Sequence, residues 1–362
     1  MIPSERRARI LHELELRGNF GTANFVHRTG VSGMTVRRDL EELERQGLLE
    51  RVHGGAIPPL SARALQQRAD ARTPSRPSVG IGMVVPSASY YYPRVIAGAQ
   101  MAAAELGIRL VLAASEYSGD RERRQIERMC VGRLDGLVVT PAQTFDEDEQ
   151  TYRLIADVDV AVVLAERRIS TIAGDLPLPS VSSDHERGAA LAVQHLVRLG
   201  HRNIALASRP SPTAAPVRAG FARAMSALAP HGRRVEAPIA ERAADADVAQ
   251  RMLDDVLDRC LDADVTAIIV LPDDAAVSLL ELAEDRSIAV PEQLSVVAYD
   301  DEIAALAAVP LTAIAPPKTD VGYRSVRACY EQLVAEQRAS TRAIVHMNLT
   351  PTLVRRESTA EL

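Results

Sequence analysis

Hydrophobic positions along the chain follow two patterns, which change near residue 75. Before residue 56 the apolar residues recur at helical spacing, as Ile10, Leu11 and Leu14 do on one helix face. After Pro77, short and continuously apolar runs alternate with amphipathic stretches. Continuously apolar strands that alternate with helices are typical of parallel sheets covered on both faces. The pattern therefore predicts a small helical domain followed by a large α/β region.

Two short helices joined by a tight turn are predicted in the small domain. Thr22 is expected to cap a helix over about residues 23–29, which Gly30 ends. Ser32 is expected to cap the next helix, over residues 33–46. A short strand over residues 48–52 and a glycine-rich turn then follow. Two helices with a tight turn, a strand and such a loop form a winged helix-turn-helix.

The second of these helices has one apolar face. At 100° per residue, Val36, Leu40 and Leu43 lie within about 60° of one another, so they are predicted to be buried. Glutamates fill the last turns and would repel DNA, so only the first turns are expected to enter a groove.

Arginine and threonine at the start of such a helix suit base edges and phosphates. The candidate DNA-binding residues of this domain are Thr22, Ser32, Met34, Thr35, Arg37, Arg38, Arg51, His53 and Gly54. The alternative is that Arg37 and Arg38 only form salt bridges with the glutamates four residues further on.

Residues 9–11, 31–40 and 51–56 resemble the N-terminal domain of the DeoR family of bacterial transcription regulators, in elements such as Ser-x-x-Thr-Val-Arg-Arg-Asp-Leu and His-Gly-Gly-Ala. The resemblance implies that Arg37 and Arg38 contact DNA. It also implies that Asp39 serves structure by pairing with an arginine.

The rest of the chain predicts a linker and an α/β domain. The winged helix-turn-helix is assigned to residues 1–56, a proline-bounded linker to 57–77 and the α/β domain to 78–362. Two lobes are expected because the last segment is large for a single sheet. Strands are predicted at residues 79–85, 108–114, 136–140, 158–165, 203–207, 265–271 and 294–299, and helices at 93–106, 121–131, 186–199, 218–229, 246–261 and 275–285.

Open parallel sheets bind ligands beyond the carboxyl ends of their strands. The segments in those places are rich in tyrosine, aspartate and serine: 87–92, 115–117, 140–141, 208–218, 272–274 and 300–301. Aromatic rings stack on the apolar face of a sugar and charged groups bond to its hydroxyls. The sequence therefore predicts a site for a small polar metabolite, with a carbohydrate expected. For any one tyrosine, ordinary packing is the alternative.

Residues 181–184, 195–205, 218–221, 294–301 and 354–359 resemble the LacI-type sugar-binding domain, whose fold is similar to periplasmic sugar-binding proteins. The resemblance implies two lobes around a cleft, with three chain crossings between them. Lobe 1 is expected at about 78–182 plus 316–338, and lobe 2 at about 183–315 plus 339–358. The implied ligand-binding residues are Tyr91, Tyr92, Asp184, Arg218, Asp273 and Asp300. LacI-type regulators usually carry asparagine where Asp273 stands.

Charge is unevenly divided along the chain. The net charge is −6, but residues 1–77 hold 13 arginines against 9 acidic residues, so the head is basic and the body acidic. The sequence has no apolar run long enough for a transmembrane helix and no visible secretory signal. Three widely spaced cysteines predict no disulfide framework, so a cytoplasmic location is expected.

The sequence therefore predicts a cytoplasmic, ligand-responsive transcription regulator, with repression as the expected mode. No catalytic or metal-binding motif is evident, and no enzyme activity, cofactor or metal is expected. The expected partners are a double-stranded DNA operator, a small-molecule effector and a second copy of the chain in a homodimer; no membrane contact is expected. The alternatives are a solute-binding protein and a sugar-phosphate enzyme on an α/β fold.

Overall fold

The computed structural model describes residues 6–7, 9–11, 13–14, 20–46, 48–52, 54–57, 79–132, 134–169, 176–241, 245–337 and 343–362. The chain divides into two compact units, Met1–Ser78 and Val79–Leu362. Linker residues 58–77 and His53 lie outside the described residues, so the predictions for them have no structural counterpart here.

The N-terminal unit is a three-helix arrangement with a small sheet. Residues 6, 7, 9–11, 13 and 14 are helical. Two complete helices and three short strands follow: β1 (Phe20–Gly21), α1 (Thr22–Thr29), α2 (Gly33–Arg45), β2 (Glu50–Val52) and β3 (Gly55–Ile57). The strands form an antiparallel sheet in the order β1-β3-β2. This is the predicted winged helix-turn-helix.

Local chemistry explains how the two helices start and stop. Ser32 caps α2 because its side chain accepts a 3.2 Å hydrogen bond from the backbone N–H of Thr35. Gly30 ends α1 in the left-handed conformation, with φ of 69°. The prediction for Thr22 was wrong in one respect: α1 begins at Thr22 and Gly21 is the capping residue. The reason is that Gly21 leaves β1, and the N–H of Thr22 bonds to the carbonyl of Gly54 at 2.9 Å.

One apolar core holds this unit together. The predicted face of α2 is buried, since Val36, Leu40 and Leu43 are each at most 2% exposed. They pack in one cluster with side chains of the first helical segment, α1 and the wing, namely Ile10, Leu14, Phe20, Phe25, Leu49 and Ala56. Burial of this face therefore fixes which side of α2 is left for other contacts.

The C-terminal unit has two lobes, each with a six-stranded sheet between helices. The lobe 1 sheet has the order β14-β8-β7-β6-β4-β5 and is parallel throughout. Its elements are β4 (Gly80–Val85), α3 (Tyr92–Leu106), β5 (Arg109–Ala114), α4 (Gly119–Val131), β6 (Gly136–Val139), α5 (Glu149–Ala156), β7 (Ala161–Ala165), β8 (Ser180–Ser183), α10 (Lys318–Gln337) and β14 (His346–Leu349).

The lobe 2 sheet has the order β10-β9-β11-β12-β13-β15. Its pairs are parallel except β13 with β15. Its elements are α6 (His185–Arg198), β9 (Ile204–Ser208), α7 (Ala214–Leu228), β10 (Arg234–Pro238), α8 (Ala246–Asp262), β11 (Ala267–Leu271), α9 (Asp273–Asp285), β12 (Ser295–Tyr299), a 3₁₀ turn at Ala304–Leu306, β13 (Thr312–Ala315) and β15 (Thr352–Val354).

The chain crosses between the lobes three times, as the resemblance implied. The crossings lie between β8 and α6, between β13 and α10, and between β14 and β15. The expected lobe boundary near the C-terminus needs a correction, because residues 339–358 do not all lie in lobe 2. β14 pairs in parallel with β8 and so belongs to lobe 1, and only β15 and the following residues return to lobe 2. Strands β8, β13 and β14 lead into the three crossings. Because the parallel strands of one sheet end at the same edge, the carboxyl ends of both sheets lie around one cleft.

Candidate functional site

The exposed side of α2 carries the arginine pair predicted to bind DNA. Arg37 and Arg38 are exposed, and Met34 in the first turn is 70% exposed. Among the described residues neither arginine forms an ion pair or a side-chain hydrogen bond. The predicted alternative, salt bridges to the glutamates four residues on, is therefore not formed in this structure. Thr35 is less available, because its hydroxyl lies 2.8 Å from that of Ser32.

Asp39, which follows this arginine pair, faces the opposite way. Its carboxylate is buried and accepts hydrogen bonds from Arg6 and Arg7 of the first helical segment, from Arg7 at 3.1 Å. The bond with Asp39 is the main cause that raises the pKa of Arg6 above its usual value. The expected structural role of Asp39, pairing with an arginine, is confirmed.

Arg51 of the wing is held against α2. Its Nε donates to Glu44 at 2.7 Å and its Nη1 donates to Glu41 at 2.9 Å. The backbone N–H of Arg51 also donates to Glu44, at 3.0 Å. A DNA contact by Arg51 would thus have to compete with two carboxylates. Gly54, the other described wing residue of the predicted set, adopts φ of 83° at the tip of the turn.

Lobe 1 contributes a buried carboxylate network to the cleft. Glu166 directly follows β7 and is 5% exposed. Its Oε1 accepts hydrogen bonds from the hydroxyl of Tyr91 at 2.7 Å and from that of Ser183 at 2.9 Å. Its Oε2 accepts from the backbone N–H of Ser183 at 2.9 Å, and the imidazole of His185 lies 3.7 Å away. Three elements, the β4–α3 loop, β7 and β8, therefore converge on this one side chain.

Burial governs the protonation of the groups around Glu166. Desolvation raises the pKa of the Tyr91 phenol well above its usual value, with the Glu166 charge adding to the effect. Desolvation likewise lowers the pKa of His185. Near neutral pH both groups are therefore uncharged, so they can donate or accept hydrogen bonds without carrying charge.

Tyr92 is held inside lobe 1. It begins α3 and is 5% exposed, next to the buried guanidinium of Arg167. Arg167 itself donates to the carbonyls of Pro141 at 2.9 Å and Glu166 at 2.8 Å. Tyr92 therefore packs in the core of lobe 1 and does not line the interlobe cavity, and the guanidinium beside it is already bonded to the backbone.

Lobe 2 contributes two buried aspartates. Asp273 is fully buried at the start of α9, and its Oδ2 accepts three backbone N–H bonds, from Glu302 at 2.6 Å, Ile303 at 2.7 Å and Ala304 at 3.0 Å. Asp300, 6% exposed, directly follows β12. Burial raises the pKa of Asp300 to about 7.

One lysine sits between the lobes at the second crossing. Lys318 is 2% exposed and donates to the backbone carbonyl of Asp300. It also pairs with the Glu302 carboxylate at 2.5 Å, and its ammonium lies 5.0 Å from the centre of the Tyr91 ring. This lysine thus supplies positive charge beside the carboxylates of Glu302 and Asp300.

The remaining two predicted ligand residues, Asp184 and Arg218, differ in their position relative to the cavity between the lobes. Asp184 caps α6 by accepting the N–H of Arg187 at 2.9 Å, beside the first crossing. Arg218 is exposed on α7, where Val217 and Phe221 face the core and Ala215 and Ala219 face the cleft. Of the six predicted ligand residues, only Asp184 lines the cavity between the lobes. Tyr91 lies behind its wall, bonded to Glu166, and Asp273 and Asp300 lie at the interlobe contact made by Tyr90.

A cavity of about 600 Å³ lies where the lobes meet beside the crossings. Both lobes and the crossing segments contribute to its walls, which are Thr144, Phe145, Asp146, Tyr152, Glu166, Arg167, Arg168, Ile169, Ser182, Ser183, Asp184, His185, Glu186, Pro212, Ala215, Pro216, Ala219, His346 and Asn348. A cavity of this volume is suited to a small ligand, and its wall offers carboxylate, guanidinium, imidazole and amide groups. Within the described residues no group of acidic, histidine and cysteine side chains could hold a metal ion.

Three residues of this region were missed as site residues by the sequence analysis: Glu166, Arg167 and Lys318. Tyr90 lies in the predicted segment 87–92 but was not among the six ligand-binding residues chosen. Glu166 and Arg167 directly follow the predicted apolar run 158–165, so the rule that selected the other loops could have found them. Lys318 is the single lysine of the chain, but it follows a strand, β13, that the sequence pattern did not indicate.

Comparisons with known proteins agree with both parts of this structure. Residues 6–61 match the model of the DeoR-like helix-turn-helix domain, and residues 193–359 match that of the periplasmic binding protein-like domain. The chain is 29% identical over 344 residues to the arabinose metabolism transcriptional repressor of Geobacillus stearothermophilus, covering 92% of this chain and 88% of the relative. It is 26% identical to the repressor of the same name from Halalkalibacterium halodurans, over 99% and 96% of the two chains.

Solved structures show the same two-lobed fold. A LacI family transcriptional regulator from Enterococcus faecium with bound ribose aligns with a TM-score of 0.61 and 21% identity, covering 78% of this chain and 99% of that one. The complex of the transcriptional regulator CelR with cellobiose aligns with a TM-score of 0.63 and 22% identity, covering 83% and 91%.

The class of protein follows from these matches: the chain is a transcription regulator built from a DNA-binding domain and a separate ligand-binding domain. More particularly, it joins a DeoR-like helix-turn-helix domain to a periplasmic binding protein-like domain. In the part of the chain that the structure describes, no helix has the length and apolar character needed to cross a membrane.

Proposed function

We propose that the chain is a cytoplasmic repressor that binds operator DNA as a homodimer and changes its DNA affinity when a sugar enters the interlobe cleft. The observation that carries this proposal is the cavity between the two lobes, which has the carboxylates of Glu166 and Asp184 in its wall. Asp273 and Asp300 lie at the interlobe contact made by Tyr90. Carboxylate oxygens accept hydrogen bonds, and a sugar presents several hydroxyl donors in a small volume.

A pentose is the sugar that the relatives favour. The repressors from Geobacillus and Halalkalibacterium are named for arabinose metabolism, and one structural neighbour holds ribose. The charges of the cleft agree with an uncharged ligand, because Lys318 and Arg167 are already bonded within the protein. A phosphorylated sugar would have to displace one of these contacts or use the exposed Arg168 at the wall of the cavity.

DNA binding is assigned to the first turns of α2. Arg37 and Arg38 project from the face opposite the buried seam, with the exposed Met34 one turn earlier. The predicted set adds Thr22, Ser32, Thr35, Arg51, His53 and Gly54 as positions for backbone or base contacts. Bidentate arginine–guanine bonds supply specificity, and the remaining groups position the helix.

A second copy of the chain is proposed to pack on the open edge of the lobe 1 sheet. Among the residues that the structure describes, strand β5 pairs with β4 and with no other strand, and Leu112 on β5 is 41% exposed. Met101 on the neighbouring helix α3 is 53% exposed. Exposed apolar side chains beside an unpaired strand edge are features that a subunit interface covers.

Coupling between the sites requires that the sugar bind one arrangement of the lobes better than the other. Transport and catalysis are the alternatives to this regulatory role. A solute-binding protein would bind sugar without changing affinity for DNA, and a sugar-phosphate enzyme would turn its ligand over.

The test is fluorescence anisotropy with labelled DNA from the promoter region of the chain's own gene, with and without arabinose, ribose and cellobiose. Wild-type protein should bind this DNA more tightly than an unrelated sequence, and one of the sugars should change the affinity. Arg37→Ala and Arg38→Ala should each weaken binding, whereas Arg45→Ala in the last turn, which pairs with Glu42, should not. Specific binding that survives both changes would contradict the DNA-binding assignment.

A further inference from the structure

Among the three consecutive tyrosines after β4, Tyr90 is the one whose hydroxyl bonds to the other lobe. Tyr90 belongs to lobe 1, but its hydroxyl donates to Asp273 of lobe 2 and lies 3.3 Å from an oxygen of Asp300. Tyr91 bonds instead to Glu166 of its own lobe. The backbone of Tyr90 has φ of 57°, in the left-handed region that a bulky residue adopts only where its surroundings hold it. The turn is therefore built to aim this side chain across the cleft.

The two aspartates at the Tyr90 hydroxyl have few other hydrogen-bond donors within reach of their free carboxylate oxygens. Oδ2 of Asp273 is occupied by three backbone N–H groups, which leaves Oδ1 facing lobe 1. Asp300 is buried, and the ammonium of Lys318 bonds to its backbone carbonyl and to Glu302. A buried carboxylate oxygen without a donor is costly, so whatever reaches these two atoms gains a strong hydrogen bond.

These contacts lead to a specific role for Tyr90. We propose that its hydroxyl competes with the effector for Asp273 and Asp300, so that Tyr90 sets the threshold concentration at which a sugar occupies the cleft. The proposal rests on the proposed sugar-binding function. In the absence of sugar, Tyr90 satisfies the carboxylates and joins the lobes. A sugar hydroxyl must take the place of the Tyr90 hydroxyl before it can bond to the same atoms.

The first experiment needs no sugar. In a double-mutant cycle with Tyr90→Phe and Asp273→Asn, thermal unfolding is measured for the wild type, both single variants and the double variant. Tyr90→Phe should lower Tm in the wild type, and the decrease should be at least halved when Asp273→Asn is already present. Strictly additive changes would show that the two side chains are not coupled, and would overturn the proposal.

The second experiment is calorimetric titration of the full chain with arabinose. Tyr90→Phe keeps the ring but removes the competing donor, so its Kd for arabinose should be about tenfold lower than that of the wild type. Tyr323→Phe is the matched control, because it removes a tyrosine–carboxylate bond of 2.6 Å, to Glu105, far from the cleft. Its Kd should equal that of the wild type.

An unchanged or higher Kd in Tyr90→Phe would overturn the proposal, since a higher value would mean that the hydroxyl helps to hold the sugar. If neither the wild type nor Tyr90→Phe binds arabinose, ribose or cellobiose, the proposed sugar function fails. The sugar-free cycle then still decides whether Tyr90 joins the lobes through Asp273.

Discussion

The guanidinium of Arg51 in the wing donates a 2.7 Å hydrogen bond to the carboxylate of Glu44 on the recognition helix α2. The arginine that joins the wing to the helix is thus one of the residues that the sequence predicts to contact DNA. Hydrogen bonds from the backbone and side chain of Arg51 lower the pKa of Glu44, so this carboxylate is charged near neutral pH.

Release of Arg51 from this bond should strengthen DNA binding. Glu44→Gln removes one negative charge near the phosphates and weakens one of the two carboxylate contacts of the guanidinium, which keeps its bond to Glu41. Affinity should rise by about threefold to tenfold, and the slope of log K against log salt should steepen by about one if Arg51 gains a phosphate. Anisotropy titrations at several salt concentrations measure both quantities. Glu42→Gln, which frees Arg45 instead, is the control for the charge alone. A steeper slope that persists in the Glu44→Gln, Arg51→Ala double variant would contradict an Arg51 contact.

The ion pair of Asp39 with Arg6 should be essential to the stability of the DNA-binding domain. Asp39→Ala leaves a guanidinium that is 7% exposed without this carboxylate, and breaking a buried pair from one side costs about 3–5 kcal/mol. Urea unfolding of the full chain should show an earlier transition for this domain. Glu42→Ala removes an exposed pair with Arg45, and should cost less than about 1 kcal/mol. Equal effects of the two changes would refute the structural role of Asp39.

The sequence pattern predicted the strands well where they form mostly apolar runs of five residues or more. The run over β11, for example, is apolar throughout and each of its residues is at most 3% exposed. Strand β8 escaped prediction because three of its four residues are serines, although it pairs between β7 and β14. The serine hydroxyls of β8 form hydrogen bonds with Glu166, His346 and Asn348. Side-chain hydrogen bonds, and not a run of apolar residues, therefore hold this strand in the sheet.

The cleft was predicted less completely than the fold, and two side chains show why. An amphipathic helix buries one face, and each residue is rotated by about 100° from the one before it. One position therefore separates the core-facing Val217 from the exposed Arg218. The three tyrosines after β4 look alike in sequence, and only the left-handed backbone at Tyr90 decides which one crosses to lobe 2. Both features depend on exact helix phase or backbone conformation, which residue types alone do not specify.

Two glycines let helices α3 and α10 approach closely in lobe 1. A Cβ atom at Gly322 would lie 1.8 Å from the carbonyl oxygen of Val95, and one at Gly98 would lie 1.9 Å from that of Thr319. Gly322→Ala should therefore force the helices apart and destabilise the lobe by about 3 kcal/mol or more. Gly107→Ala is the comparison, because its Cβ would meet open space while its φ of 65° costs only about 1 kcal/mol. Thermal unfolding of the two variants measures the difference, and similar Tm values would argue against the close helix contact.

The carboxyl group of Asp300 should make stability fall as pH rises towards neutrality. Its pKa is raised to about 7, above the ordinary 3.8, mainly by burial, with Asp273 and Glu302 adding to the increase and Lys318 and Tyr90 opposing it. Between these two values the folded protein holds a proton that the unfolded chain has lost, so the free energy of unfolding decreases as pH rises and levels off above pH 7.

Asp300→Asn removes this titration, and it is the variant that tests the prediction. From about pH 4 to pH 7 the wild type should lose stability relative to the variant by up to about 4 kcal/mol, since each pKa unit corresponds to about 1.4 kcal/mol. Above pH 7 the difference should stay constant. Urea unfolding at pH 4.5, 5.5, 6.5 and 7.5 gives both curves, and the exposed Asp255→Asn serves as a control that should parallel the wild type. Parallel curves for Asp300→Asn as well would mean that Asp300 is already ionised at pH 4.5, and that Lys318 outweighs the effect of burial.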